Sequence, residues 1–240
     1  MKRILLSLIT LISLSVFAQD IPAKDPSATE RTLGASFSAI TITDGIDVYL
    51  TQGQSESVAV TASDEKYMAH FKTEVDHGTL KIYYDKNGIN YGFNEKRKLK
   101  AWVTFKNIDK LQVTGGASVK SAGTIDADKL DMRLASGSHF TGKINAKELD
   151  VDQSAGSGVT ISGRADKIKV EGSSGSIFKG FDLEVDYCDA KASSGAGVHI
   201  TINKELNAKA STGGGIKYKG TALIKDVNIS SGGTVKKEKS

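Results

Sequence analysis

Disulfide bonding within the chain is excluded at once, because its 240 residues contain one cysteine, Cys188. Stability must come from packing and strand pairing rather than covalent staples. Long apolar runs are missing too. The one apolar stretch, Ile4 to Phe17, is broken by Ser7, Thr10, Ser13 and Ser15, whereas a spanning helix needs about 18 or more unbroken apolar residues. Lys2 and Arg3 precede it and Val16-Phe17-Ala18 closes it with small residues at the right places, the layout of a secretory signal peptide over residues 1–18. No cysteine follows that cleavage point to carry a lipid anchor. The expected mature chain is exported to the periplasm, the outer-membrane surface or the extracellular space, with no transmembrane segment. Proline is scarce as well, and Pro22 and Pro26 both fall in residues 19–32, which read as a linker.

A strong charge of either sign is also lacking. The net charge of +4 falls to +2 once Lys2 and Arg3 are removed, too little for a nucleic-acid binder, whose affinity rests on neutralising many phosphates. No nucleic-acid partner is expected, and the run Glu95-Lys96-Arg97-Lys98-Leu99-Lys100 reads as a solvated loop. His70, His77, His139 and His199 show no metal-ligand spacing. No Ser-Gly run continues into the Gly-Lys-Ser/Thr of a phosphate-binding loop. Neither a metal nor any other cofactor is expected.

What the chain does have is a repeat. Units open at Leu111, Leu130, Leu149, Ile168, Cys188, Leu206 and Val227, spaced 19, 19, 19, 20, 18 and 21 residues apart. Self-similarity at such a period marks a solenoid, in which each unit buries its apolar edge only by stacking on the next. Inside a unit the period is two. Leu149, Val151, Val159 and Ile161 alternate with Asp150, Asp152, Thr160 and Ser162, the pattern of half-buried strands and not of a helix. Successive coils of one chain run in the same direction. The expected fold is therefore all-β, a parallel β-helix-like solenoid of ~19-residue coils, about 4.8 Å apart and wound right-handed.

Five coils carry a glycine seven residues after the opening residue, at Gly137, Gly156, Gly175, Gly195 and Gly213, among serines and alanines. A corner that recurs in register asks for backbone angles that glycine reaches without a clash and for small neighbours whose hydroxyls can bond to the turn. Stacked corners also leave little room for large side chains. Cys188 takes a slot otherwise filled by Leu or Ile and is read as a small buried hydrophobe.

Ahead of the repeats the pattern is less regular but still β-rich. FSAITITDGIDVYLTQG from Phe37 gives two strands around Asp44-Gly45, and SVAVTAS from Ser57 gives another. Ser63 is placed to cap a short helix or turn reaching His70. FKTEVDHGTLKIYYDKNG then reads as a strand pair turning near Asp76-His77-Gly78, and LKAWVTF as a further strand. The organisation expected is one domain over residues 33–235, with an irregular β cap region at 33–110, coil repeats at 111–235 and a basic tail at 236–240.

Asp131, Asp150 and Asp152 fall at outward positions of adjacent coils, an arrangement that a polysaccharide-active β-helix enzyme could use. Arg133, Lys169 and Lys191 interrupt the same columns. That makes a surface ladder of opposite charges the simpler reading, each pair worth less than ~1 kcal/mol.

Phe37, Ile40, Gly45-Ile46-Asp47-Val48, Leu50, Gln52-Gly53 and Gly78-Thr79-Leu80-Lys81-Ile82, followed by the Ser/Gly-punctuated repeats, resemble the putative auto-transporter adhesin head GIN domain family over Leu33 to Val235. The resemblance implies an exported, β-helical, adhesin-like head and brings no catalytic motif with it. The expected function is a non-enzymatic envelope interaction module offering a rigid face to a surface glycan or protein. Tyr91 and Phe93, aromatics in the loop INYGFNEKRK, are the candidate ligand contacts. The alternative is the enzyme built on Asp131, Asp150 and Asp152, and no residue is assigned as catalytic. Lys236, Lys237 and Lys239 beside the last coil oppose edge-to-edge pairing, so a monomer is expected.

Overall fold

The computed structural model describes residues 24–86 and 97–239. The expected signal peptide and the loop holding Tyr91 and Phe93 lie outside the described residues. In chain order the elements are β1 (Thr29–Arg31), β2 (Ala39–Ile42), β3 (Asp47–Gln52), β4 (Ser57–Thr61), the one-turn helix α1 (Glu65–Met68), β5 (Phe71–Asp76), β6 (Thr79–Tyr84) and β7 (Lys100–Phe105). There follow β8 (Lys110–Val113), β9 (Ser118–Leu134), β10 (His139–Gln153), β11 (Gly158–Gly172), β12 (Ile177–Ala192), β13 (Gly197–Ala210), β14 (Gly215–Lys219), β15 (Leu223–Ile229) and β16 (Thr234–Lys237). The later strands stack in parallel as a β-solenoid of about seven turns of roughly 19 residues.

Each turn has three sides because its alternation is interrupted twice. In β9 the buried positions are Val119 and Ser121 on a first side, Ile125 on a short second side, and Leu130, Met132 and Leu134 on a third. Gly123, at φ +75°, separates the first two, and the exposed pair Asp128-Lys129 separates the second from the third. Stacking in register turns these positions into internal columns, and one continuous apolar core results from Phe37 to Tyr218. Full burial of each large apolar side chain stabilises the fold by roughly 1.5–3 kcal/mol.

The Ser-Gly corners between the third side and the next first side are β-turns, closed by bonds such as Ser157 N–H to the Ser154 carbonyl, 3.1 Å. Both central residues have positive φ, +49° and +71° at Ala155-Gly156 and +51° and +71° at Ser174-Gly175, as in type I′ turns. Gly137, Gly195 and Gly213 share this conformation. Crowding plays no part there, since a Cβ at any of the five glycines would meet nothing within 4 Å. The tight position is one residue later. Ser138, Ser157 and Ser176 are buried, and their hydroxyls donate to the carbonyls of Val113, Leu134 and Gln153 in the preceding coil at 2.8, 3.0 and 3.3 Å.

The residue before each glycine also sits in the left-handed region, where asparagine is at less disadvantage than alanine. Ala155→Asn should therefore raise stability by about 0.5–1 kcal/mol. Urea unfolding checks this, and a lower midpoint would contradict the turn type.

Two unit boundaries differ from those read by spacing. Leu111 stacks on Met132 and not on Leu130. Val227 stacks on Ala208, while Ile224 takes the slot beside Leu206 because Lys225 bulges out of the ladder. With a period of two, a slip of two residues keeps the same face inward, so the apolar pattern alone does not fix the register.

The N-terminal portion is more regular than its sequence. β2 pairs in parallel with β8 and β3 with β9, and Asp44-Gly45 repeats the corner at φ +65° and +68°, so residues 39–52 form a further coil. There, burial pushes the Asp44 carboxyl up, but hydrogen bonds from Lys86, Thr43 and the Tyr84 amide outweigh it and hold the group below the usual carboxylate range. β6 and β7 stack in parallel on the outer edges of β2 and β3. Antiparallel β5, β4 and, within the stretch read as linker, β1 complete the front. The helix cap is Asp64, one residue beyond the expected Ser63, accepting from Lys66 N–H at 3.0 Å.

Candidate functional site

The carboxylates singled out by the sequence do come together on the third side. Asp150 pairs in register with Asp131 and Lys169, and Asp152 with Arg133 and Glu171. They border a shallow depression of about 140 Å³. Cations interleave them, with Arg133 3.4 Å from Asp131, Lys129 3.7 Å from Asp150, and both Lys191 at 2.8 Å and Lys169 at 3.1 Å on Glu171. Hydrogen bonds from those two lysines hold the Glu171 carboxyl below its ordinary range. The arrangement is a ladder of opposite charges.

Among the described residues no cluster of His, Cys, Asp or Glu is arranged to hold a metal ion. Cys188 lies buried between Ile168 and Leu206, and burial pushes its thiol far up, so the slot is an apolar one.

A larger concavity, about 890 Å³, runs along the second side where the 39–52 coil has no matching strand. Gln52 substitutes for that strand, accepting from Asp126 N–H at 2.8 Å and donating to the carbonyls of Lys106 and Asp126 at 2.9 and 3.1 Å. Its rim mixes Asp109, Asp126 and Asp128 with Lys129, Lys147 and Arg164, and Lys147 is already 2.7 Å from Asp128.

The first side is different. Following one outward column through the register gives Trp102, Tyr49, Lys120, Thr141 and Thr160, and then Lys179, His199, Lys217 and Lys236. The column spans about 38 Å at the usual strand spacing. At its front the Tyr49 and Trp102 rings stack with centroids 5.6 Å apart and planes 27° from parallel, and burial followed by the Asp47 charge pushes the Tyr49 phenol up. Toward the rear, His199 stacks on Phe181 at 5.2 Å with Lys219 over the other ring at 4.8 Å. Burial and then Lys217 push the His199 imidazole down. Lys143 and Lys219 flank the column, against Asp47, Asp182 and Glu238 as nearby acids on the same side.

Sequence reasoning missed this column. Tyr49 and Trp102 meet only because β3 and β7 become neighbours in the stack. The one local sign was that DVYLTQ and KAWVTF place each ring among outward polar residues.

Fold and surface together define a β-solenoid with one side rich in aromatic and cationic groups. Residues 36–222 match the family described as "Putative auto-transporter adhesin, head GIN domain", and the chain belongs to that family. Among solved structures it is similar to a putative adhesin from Bacteroides fragilis, with TM-score 0.79 and 18% identity over 90% of this chain and 99% of that one. A putative adhesin from Parabacteroides merdae gives 0.72 and 17% over 89% and 96%. A putative lipid binding protein from Parabacteroides distasonis gives 0.61 and 19% over 90% and 98%. At such identities the likeness establishes the fold. No curated protein matches the chain. The family supports an adhesin-like role.

Proposed function

We propose that this chain is an exported, non-enzymatic adhesin-like module that presents its first side to a surface glycan or protein. The observation that carries the reading is the continuous outward column from Trp102 and Tyr49 to Lys236. An aromatic pair offers an apolar platform to the C–H face of a sugar or to a partner's side chains, and the lysines beyond it attract acidic groups along an extended ligand. From β7 to β14 the strands that carry these groups are bonded on both edges and hold them at fixed spacing, so little ordering entropy is lost on binding.

The test is binding of the chain to arrayed glycans and to envelope proteins, with protease accessibility on intact cells to locate it. Trp102→Ala and Lys120→Glu should each weaken binding about tenfold or more, the loss of ~1.4 kcal/mol. Asp150→Asn combined with Asp152→Asn should leave binding and the melting temperature unchanged. Polysaccharide cleavage by the native chain, lost in that double variant, would overturn the non-enzymatic reading. Equal binding by Trp102→Ala and the native chain would remove the first side as the contact.

A further inference from the structure

Among the described residues, apolar side chains gather in the open at the rear of the stack. Leu223 is 69% exposed, Ile224 52%, Ile229 50% and Val227 36%, all on β15. Ile224, Val227 and Ile229 stand in the columns of Leu206, Ala208 and Ala210, so they point inward, over a core that no later coil covers among the described residues. β15 pairs only with β13. Its other edge offers free backbone donors and acceptors beside apolar side chains, which is a template for another strand. The basic tail does not cover it. Lys236 continues the outer column of the first side and Lys237 lies beside Tyr218, both away from β15.

We propose that β15 docks a second copy of this chain, tail to tail, by antiparallel pairing with its own symmetry mate about a two-fold axis between Lys225 and Asp226. The sequence LIKDVNI is complementary to itself in that register. Ile224 faces Val227 of the second copy, Ala222 faces Ile229, and Lys225 faces Asp226, each contact occurring twice. Inward residues meet inward residues throughout, so the two cores merge. A slip of one residue sets Asp226 against Asp226 and opposes inward to outward positions. Such a contact is isologous and closes at two copies. Among the described residues the front has no matching apolar edge, because β1 (TER) is short and polar and Phe71 of β5 is buried. Association through β15 therefore ends in a dimer and not in a filament. The inference is independent of what the first side binds.

Sedimentation equilibrium of the chain at micromolar concentrations tests it. The expected mass is twice that of the chain, falling to one chain for Ile224→Lys or Val227→Lys with the front of the fold intact by circular dichroism. Should those variants fail to fold, the outward charges still decide the matter. Lys225→Asp and Asp226→Lys should each be monomeric alone, since like charges then face across the axis, and an equimolar mixture should return to the dimer mass because every acid again faces a lysine. A native chain that is monomeric throughout, one that grows into filaments, a dimer that survives Ile224→Lys, or charge variants that do not recover on mixing would each overturn the proposal.

Discussion

Gly163→Ala should destabilise the solenoid by about 3–5 kcal/mol, well beyond the loss from a glycine replaced at a Ser-Gly corner. Gly163 has φ +112°, outside the region that an L side chain adopts without strain. A Cβ there would lie 2.1 Å from the Ile144 carbonyl oxygen and 3.0 Å from its carbon. Ile144 is the register partner of Gly163 one coil back, so the obstacle is backbone held in a parallel ladder. Relief would require two coils to part at the junction of the first and second sides. Gly156 also has positive φ, +71°, but a Cβ there meets open space, and Gly156→Ala should cost only about 1–2 kcal/mol of left-handed strain. Urea unfolding of both variants beside the native chain makes the comparison. Equal shifts in midpoint at unchanged slope would show that the coils do not approach so closely at Gly163.

The contrast between these two glycines also shows what the sequence could reveal. Gly156 was visible because its corner recurs at a nearly constant distance from the opening apolar residue, and a recurring glycine points to a recurring backbone requirement. Gly163 was not visible, since its counterparts in neighbouring coils are Ile144 and Leu183, and at this junction the same approach to a carbonyl recurs at Gly220, against Ile202, too sparsely to show as a repeat. The same division runs through the surface. The acidic ladder on the third side could be read from residues 19 apart, as in Asp131 and Asp150. The Tyr49–Trp102 pair could not, because chain order misleads at the front, where β6 and β7 stack outside β2 and β3 although they come later. At the rear, the lysine run suggested a blunted edge. Lys236 stands on an outer face of the first side because of the register of β16 on β14, which the lysine run by itself does not give.

The core should show strong coupling between two neighbouring columns of the first side. One column reads Val119, Phe140, Val159, Phe178 and Val198, and the next reads Ser121, Gly142, Ile161, Gly180 and Ile200. From Phe140 with Gly142 to Val198 with Ile200, a ring in the first column meets glycine in the second and a valine meets isoleucine, so these four coils fill similar volumes, as close packing demands. At Gly180 a Cβ would lie 2.4 Å from the Phe178 ring, and the ring therefore occupies the space of the missing side chain. Phe178→Val should cost about 2–4 kcal/mol through the cavity it leaves, and Gly180→Ile a similar amount by overpacking. Joined, the two changes recreate the Val-Ile pairing found in both adjoining coils, at Val159 with Ile161 and Val198 with Ile200. The double variant should recover at least ~2 kcal/mol relative to the sum of the single losses. Thermal and urea unfolding of the four members of the cycle supply the measurement. Additive losses would mean that the ring and the glycine do not share one space, and the volume compensation between the columns would have to be given up.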